Sequence, residues 1–391
     1  MILRATALGA LLLAWAGGAA AHSRGTSYSD WTLEPQGAQV RARVSQLELT
    51  RLQLDPATTP AYAQAVAQLL AGQLQLWSPA GRCAPQAPVA SAGDDGWVFA
   101  QWSVRCPDAG QRVVRTTLFQ AVAPSHLHFA RVQLQDGTPL ERVLTIAEPA
   151  FTLGAPPALS ASFGHYLRLG VEHILSGWDH VAFVLALILL AASLREVALV
   201  ATGFTLAHSL TLAAAVLGWA AVREVAVEAL IGFSIALIAA ENLWLRSGRE
   251  RWLPALTVTG LAALALFGAT RLPPTLLAGL ALFTACYFAL ARQAARPARL
   301  RTAVAFIFGL VHGFGFAGAL TELQLPAERL AVGLAGFNSG VELGQLLIIG
   351  AAWPLLKLLE RRPLARQWAG DGASACICAL GTFWFVTRTF G

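Results

Sequence analysis

The pattern of hydrophobic and polar positions changes about 160 residues into the chain. Before that point, apolar and polar residues alternate with a period of two in short segments, which are residues 40–49, 97–104, 113–122, 127–134 and 142–146. Such alternation between turn clusters is typical of antiparallel strands, and it predicts a small β-sandwich-like domain. Residues 60–72 have helical spacing and predict one helix within it.

The second part of the chain consists of long apolar runs, each close to the roughly 20 residues that cross a bilayer. They predict about eight transmembrane helices, at about 165–193, 197–219, 223–245, 253–270, 274–291, 302–321, 329–356 and 372–388. Arginines crowd the loops on one side, whereas the other side holds only Arg223, Arg271, Arg329 and Arg388. The predicted fold class is therefore a polytopic α-helical membrane protein. Because cytoplasmic loops are the arginine-rich ones, its N-terminal domain is predicted to lie outside.

Residues 1–21 combine an early Arg4, a short apolar core and an Ala-x-Ala end, which is typical of a secretory signal peptide. An uncleaved anchor helix is the less favoured alternative, because the apolar core is short. We therefore predict a signal peptide at 1–21, an exported domain at 22–158 and a helical membrane domain at 159–391. The expected location is the bacterial inner (cytoplasmic) membrane with the exported domain on the periplasmic side, where Cys83 and Cys106 are expected to pair.

The composition supports a membrane protein, since 56% of residues are hydrophobic and only 13% are charged, against about 25% charged in soluble domains. A net charge of +6 could suggest nucleic acid as a partner. We reject that interpretation because the arginines lie mostly in short loops between apolar segments. The expected partners are the lipid bilayer and a metal ion. The sequence contains no nucleotide-binding loop, so any energy input is expected from ion gradients or another subunit. We also expect no organic cofactor.

Polar side chains recur inside the predicted spans, where one charged group costs roughly 2.5–3.5 kcal/mol on insertion scales. The candidate metal ligands are His173, Asp179, His180, His208, His312, Glu342, Asn338 and Glu241. Imidazoles with a few carboxylates suit a borderline divalent ion such as nickel, zinc, cobalt or copper. The alternative for any single histidine is a hydrogen bond to a neighbouring helix; the number of histidines at similar depth favours a functional polar site.

The first predicted span carries the densest group of these residues. His173 and His180 are seven residues apart, which returns them to one face of a continuous helix. Ser176 and Gly177 between them favour a local break, which would let Asp179 join the histidines or orient one imidazole.

The predicted exported domain contains a second set of histidines. Cleavage after Ala21 would leave His22 at the new N-terminus, whose amine and imidazole can chelate a metal together, and His126 and His128 could add ligands from one strand face. The favoured alternative is an exposed His22 and a polar strand face at His126 and His128.

Five segments of the membrane domain, EHILSGWDHVAFVLAL, TGFTLAHSLTL, IALIAAENL, FGLVHGFGFAGAL and FNSGVELGQL, together resemble the HupE/UreJ family of bacterial membrane proteins. The resemblance is to its longer branch, with a signal peptide and an exported domain. It covers most of residues 160–391, and the family signature of a His followed after five residues by Asp-His falls on His173, Asp179 and His180. It implies a secondary permease for nickel.

The resemblance also implies a route, on which the metal is captured by the signature residues, passes His208, His312 and Glu342, and leaves past Glu241. Two other functions stay open. A membrane-embedded metal-dependent hydrolase would use the same ligand types, although we lean away from an enzyme. A metal-sensing or assembly partner would use the exported domain as its working part.

Overall fold

The computed structural model describes the residues 25–54, 61–93, 96–123, 126–137, 139–146, 148–154, 159–220, 222–294, 297–316, 327–361 and 368–390. The predicted signal peptide and His22 lie outside these ranges. The chain divides into two compact units, and the change from one to the other falls between Ala158 and Leu159. We call them the β-rich unit and the helical unit.

The described residues of the β-rich unit form two sheets and two helices. Its strands are β1 Thr26–Glu34, β2 Gly37–Ser45, β3 Leu74–Ser78, β4 Gly81–Arg82, β5 Ala84–Ala92, β6 Trp97–Arg105, β7 Val113–Thr116, β8 Leu127–Gln133, β9 Pro139–Leu144 and β10 Ala150–Thr152, and its helices are α1 Gln46–Thr50 and α2 Tyr62–Gln73. One sheet has the order β5-β6-β2-β1-β8-β9 and the other the order β10-β7-β3-β4. The core contains side chains such as Trp31, Val40, Leu76 and Val114.

Several predictions for this unit are confirmed, including the helix near 60–72 and the strands near 97–104 and 127–134. Cys83 and Cys106 form the predicted disulfide. The expected antiparallel pairing does not hold throughout the six-stranded sheet, because β1 and β8 pair in parallel.

Two predicted strands are too long. Residues 46–50 turn into α1, which buries Leu49 and Glu48. The strand predicted at 113–122 ends at Thr116, because its hydroxyl oxygen accepts a hydrogen bond from the Leu118 amide (3.1 Å) and turns follow.

The helical unit contains a helix at each of the eight predicted apolar segments. The helices are α3 Leu159–Ser176, α4 Trp178–Leu190, α5 Leu194–Val216, α6 Glu224–Arg246, α7 Trp252–Phe267, α8 Pro274–Gln293, α9 Pro297–Phe314, α10 Ala327–Glu360 and α11 Ala373–Phe390. The first predicted span is therefore two helices, α3 and α4. A short π-helical turn, Trp368–Gly372, precedes α11.

Length and apolar composition of the described helices support fewer membrane spans than the eight predicted. Among the described residues, four helices are long and apolar enough to cross a membrane: Leu194–Val216, Pro274–Gln293, Leu330–Leu359 and Gly370–Phe390. The bent pair formed by α3 and α4 makes a fifth if it counts as one span, and α7 is shorter. The helical unit is thus consistent with a multi-pass membrane domain, and the count of eight spans is not confirmed.

Three helix pairs in this unit pack through glycines. α3 packs on α10, where a Cβ at Gly170 would lie only 3.0 Å from the Gly340 Cα. α5 packs on α9 at Gly309. α6 packs on α11, where a Cβ at Gly232 would lie 2.6 Å from the Phe385 backbone nitrogen. Glycine permits this backbone approach because it has no side chain. These three pairs include α3, α5, α6, α9 and α10, which carry all the candidate ligands except Asp179 and His180 on α4.

Candidate metal-binding site of the helical unit

The site is organised by a break between α3 and α4. Gly177 is in an extended conformation there, and the two helices are bent by 72°. A Cβ at Gly177 would lie 2.6 Å from Nδ1 of His180 and 3.0 Å from the carbonyl oxygen of His173, so no other residue fits without rearrangement. Asp179 lies in the first turn of α4, where its Oδ1 accepts a hydrogen bond from the His180 amide (2.9 Å). The local break that Ser176 and Gly177 predict is confirmed.

Four of the predicted ligands meet at this break, and we call His173, Asp179, His180 and His312 the histidine cluster. The ring centroids of His173 and His180 are 4.5 Å apart, and those of His180 and His312 are 5.8 Å apart. Asp179 Oδ1 lies 2.9 Å from His180 Nδ1. The three histidines are buried, with 7%, 8% and 2% of their surface exposed. The cluster therefore joins α3, α4 and α9 in a site that is nearly closed to solvent.

Phenylalanine rings surround the histidine cluster. Phe316 and Phe337 stack on each other and contact His173 at centroid distances of 4.7 and 5.3 Å. Phe183 and Phe204 contact His312 at 5.3 and 4.9 Å. An apolar frame of this kind strengthens any electrostatic interaction inside it, because little water is present to screen charge.

Ser234 fixes the proton position of His312. The Ser234 hydroxyl has one proton, which it donates to the Ile231 carbonyl oxygen (2.7 Å), so its oxygen can only accept from His312 Nε2, which lies 3.0 Å away. The proton of the neutral ring is then on Nε2, and Nδ1 carries a lone pair. This Nδ1 atom is buried and has no hydrogen-bond partner among the described residues.

Asn338 acts on His208 in the same way. Its side-chain nitrogen donates to the Leu334 carbonyl oxygen (2.9 Å), which leaves Oδ1 to accept from His208 Nδ1 at 3.3 Å. The lone pair of His208 is therefore on Nε2, which is buried and has no hydrogen-bond partner in the described parts of the chain. His208 reaches the histidine cluster through Phe204 and Phe337, whose rings lie 6.3 and 6.4 Å from its own.

Glu342 lies at the interface of α5 and α10 rather than within the histidine cluster. Its Oε1 accepts a hydrogen bond from Thr202 (2.6 Å), and one turn away Thr205 donates to Gln345 (3.2 Å). Asn338, Glu342 and Gln345 therefore all have hydrogen-bond partners on α5. The predicted route places His312 and Glu342 together after the signature residues, whereas in the structure His312 lies beside the signature residues and Glu342 does not.

Glu241 belongs to a separate charged group. Its two carboxylate oxygens bind the Tyr287 hydroxyl and Arg301, the latter at 3.3 Å, and Arg301 also binds Glu196 at 3.1 Å. Glu241 is seven residues beyond Ser234 on α6, a rise of about 10 Å along the helix. The structure therefore does not bring Glu241 together with the histidine cluster.

Sequence reasoning missed Arg388 and gave Glu228 and Ser234 no role in the site. Arg388 Nη2 lies 4.0 Å from Asp179 Oδ2, and its Nε lies 3.9 Å from Glu228 Oε2. The sequence signal for Arg388 was its position, since it is an arginine at the end of the apolar segment 372–388. The short side chain of Ser234 carried no signal, because serine on a membrane helix usually bonds only to its own backbone.

The histidine cluster is not arranged as a finished coordination site. Among the residues that the structure describes, no group of three or more His, Cys, Asp or Glu side chains is placed to hold a metal ion. The rings of His173 and His180 meet edge to face, at an interplanar angle of 63°. Coordination of one ion by these donors would require at least one imidazole to rotate.

The β-rich unit contains its own histidines in a buried hydrogen-bonded chain, which we call the serine–histidine chain. Ser27 Oγ lies 2.7 Å from both His126 Nε2 and His128 Nδ1, and Ser29 Oγ lies 2.7 Å from His128 Nε2. Glu48 Oε2 lies 3.4 Å from His126 Nδ1. These histidines therefore face the interior of the unit, so the polar strand face expected at His126 and His128 is a buried one.

Burial determines the charge state of this chain. The pKa of His128 is lowered to about 3, because desolvation disfavours the charged ring and His126 adds repulsion. Desolvation also lowers the pKa of His126, although the Glu48 carboxylate opposes the shift. Both nitrogens of His128 already have serine partners, so the structure favours a structural role for it over metal binding.

Comparison with known proteins agrees with the pattern in the helical unit. A search of curated proteins finds no match. A family model described as HupE / UreJ protein matches residues 150–268 and 255–388, which together span more than half of the chain and include every residue of the histidine cluster. The chain therefore belongs to the HupE / UreJ protein family.

Proposed function

We propose that this protein is a secondary permease for a divalent transition-metal ion, and that the ion is its cargo rather than a resident cofactor. Family membership favours nickel. In this proposal the helical unit lies in the bacterial inner membrane, and the β-rich unit is exported to the periplasmic side. The concentration of arginine in one set of loops supports that orientation.

The observation that carries the proposal is the state of the imidazole rings. A metal-binding histidine donates one N–H to a neighbour and keeps the other nitrogen for the metal. In a histidine with only a structural role, a buried nitrogen without a hydrogen-bond partner is an uncompensated cost. Ser234 and Asn338 are such neighbours for His312 and His208. The remaining nitrogens, Nδ1 of His312 and Nε2 of His208, are buried lone pairs without partners among the described residues.

The break at Gly177 supports transport in particular. Transporters often build their sites from discontinuous helices, since the interrupted backbone can change its angle while the rest of the fold stays packed. Here the break lies between His173 and His180, so a change in the bend angle changes the separation of two candidate ligands.

In the proposed cycle, the ion exchanges its water shell for the imidazoles of the histidine cluster and the Asp179 carboxylate. The phenylalanine frame excludes the displaced water. His208 offers a further nitrogen beyond Phe204, and Glu342 lies on the next turn of α10 from Asn338. On the exit path, Glu241 can accept the ion only after Arg301 releases it.

The test is cellular uptake of nickel, cobalt, zinc and copper by wild type, His180→Ala and His312→Ala. His165→Ala is the matched control, because His165 contacts Tyr166 and is not part of the histidine cluster. We expect both cluster variants to lose uptake of one metal at unchanged protein level, while the control retains it. Equal accumulation of all four metals with and without the protein would refute the permease.

A further inference from the structure

Arg388 brings a positive charge to the edge of the histidine cluster from a helix that carries none of the predicted ligands. Its guanidinium group is mostly buried, with a side-chain exposure of 10%. One nitrogen, Nη1, donates a hydrogen bond to the Glu228 carbonyl oxygen (2.8 Å), which anchors the group to α6. The indole ring of Trp384 lies 6.0 Å away on the same helix.

The other contacts of Arg388 are looser. Its distances to the Asp179 and Glu228 carboxylates are 4.0 and 3.9 Å, which are ion-pair distances but longer than hydrogen bonds. The guanidinium is thus fixed to the backbone through one nitrogen and shared between two carboxylates through the others. A small shift can move it from Asp179 toward Glu228 without breaking its anchor.

The charges explain why such a group is needed. Asp179 and Glu228 are two acidic side chains with exposures of 21% and 26% in a largely apolar unit. A partly buried carboxylate without a counter-charge is destabilising, because it has lost part of its hydration. A site that carries a cation for only part of its cycle has this problem whenever it is empty, and Arg388 supplies the missing positive charge.

We propose that Arg388 is a tethered counter-cation of the metal site, which neutralises Asp179 when no metal is bound and competes with the incoming ion for that carboxylate. This inference rests on the proposed permease function. When the metal ion occupies the histidine cluster, Arg388 withdraws toward Glu228, and its return to Asp179 helps to expel the ion. Arg388 is therefore a positioning residue, which lowers the affinity of the site for the metal ion and speeds release of the ion.

The proposal makes a prediction that a merely structural role would not make, namely that loss of Arg388 tightens metal binding. Removal of one nearby charge shifts the affinity of a carboxylate for a proton by about 10- to 1000-fold, and a divalent ion responds at least as strongly. We therefore expect Arg388→Gln to bind the metal about tenfold or more tightly and to transport it more slowly. Glu228→Gln should have the opposite effect on affinity, because Arg388 then rests on Asp179 alone.

The experiment uses the full chain, purified in detergent for equilibrium titration with nickel(II), cobalt(II), zinc(II) and copper(II), each alone, and reconstituted in proteoliposomes for uptake rates. Arg388→Lys keeps the charge and should remain close to wild type. Arg271→Gln is the matched control, because its backbone amide contacts the Thr389 carbonyl oxygen (2.9 Å) next to Arg388 while its side chain is exposed.

Tighter binding with slower uptake in Arg388→Gln, without either change in Arg271→Gln, supports the proposal. Unchanged or weaker binding in Arg388→Gln overturns it and leaves the permease intact. If Arg388→Gln does not fold, Glu228→Gln decides, and binding as tight as wild type in that variant overturns the proposal. If wild type binds and transports none of the four ions, the permease and this inference fall together.

Discussion

Acidification should destabilise the β-rich unit through the serine–histidine chain. In the folded unit the pKa of His128 is about 3, compared with its ordinary value of 6.5. Between these two values the unfolded chain binds a proton that the folded chain does not, so stability is complete above pH 6.5 and is lost as the pH falls toward 3. Burial also lowers the pKa of His126, which adds a loss of the same sign.

The size of the effect follows from the same shift. One pKa unit corresponds to about 1.4 kcal/mol, so His128 alone should reduce the free energy of unfolding by about 2 kcal/mol between about pH 7.5 and about pH 5. A loss of this size is a large part of the stability of a typical domain.

Hydrogen exchange of the full chain, followed by mass spectrometry and corrected for the intrinsic pH dependence of exchange, measures the effect. We expect the amides of β1 and β8 to lose protection on acidification. His128→Gln should lower stability at every pH but flatten its pH dependence. His165→Gln, in the other unit, should leave that dependence unchanged. A wild-type protection that is constant between the two pH values, or an equal slope in His128→Gln, would refute the reasoning.

Three further outcomes are expected. Ser234→Ala should weaken metal binding by about 10- to 100-fold, measured by titration, because His312 loses the group that fixes its proton, whereas Ser234→Thr should retain most of the affinity. Gly340→Ala should destabilise the helical unit by about 1–3 kcal/mol in detergent unfolding, because its Cβ would meet a backbone carbonyl of α3, while Gly350→Ala, with open space around it, should be neutral. Cys83→Ser should cost the β-rich unit about 3 kcal/mol in thermal or denaturant unfolding, which reduction of the wild type should reproduce.

The missed strand β1 shows where prediction from the hydrophobic pattern fails. Its inward positions include Ser27 and Ser29, which read as a polar face in the sequence. They are buried because His126 and His128, about 100 residues later, provide their hydrogen-bond partners. A period-two pattern detects apolar contacts only, so a core face built from paired polar groups carries no such signal.

The site was predictable as far as the free-energy cost of a polar side chain in an apolar segment indicates a functional residue. His173, Asp179, His180 and His312 are polar groups in apolar segments, and the structure brings these four together. Glu241 met the same criterion but lies away from the cluster. Its charge is balanced by Arg301 on another helix instead. Hydropathy shows that a buried charge needs a partner, but the helix packing decides which partner it receives.

The three glycine-packed helix pairs have a mechanical consequence. Interlocked backbones resist sliding, whereas α4 contains no glycine, packs on α6 and α10 through its side chains, and begins at the break at Gly177. A swing of α4 about that break by about 10° would move His180, about 5 Å from the pivot, by less than about 1 Å, but would move Leu190, about 20 Å away, by about 3 Å. The Leu190 carbonyl oxygen accepts a hydrogen bond from Arg301 (3.3 Å). Any such rotation of α4 would therefore displace, together with His180, the distant carbonyl oxygen to which Arg301, the partner of Glu241, is hydrogen-bonded.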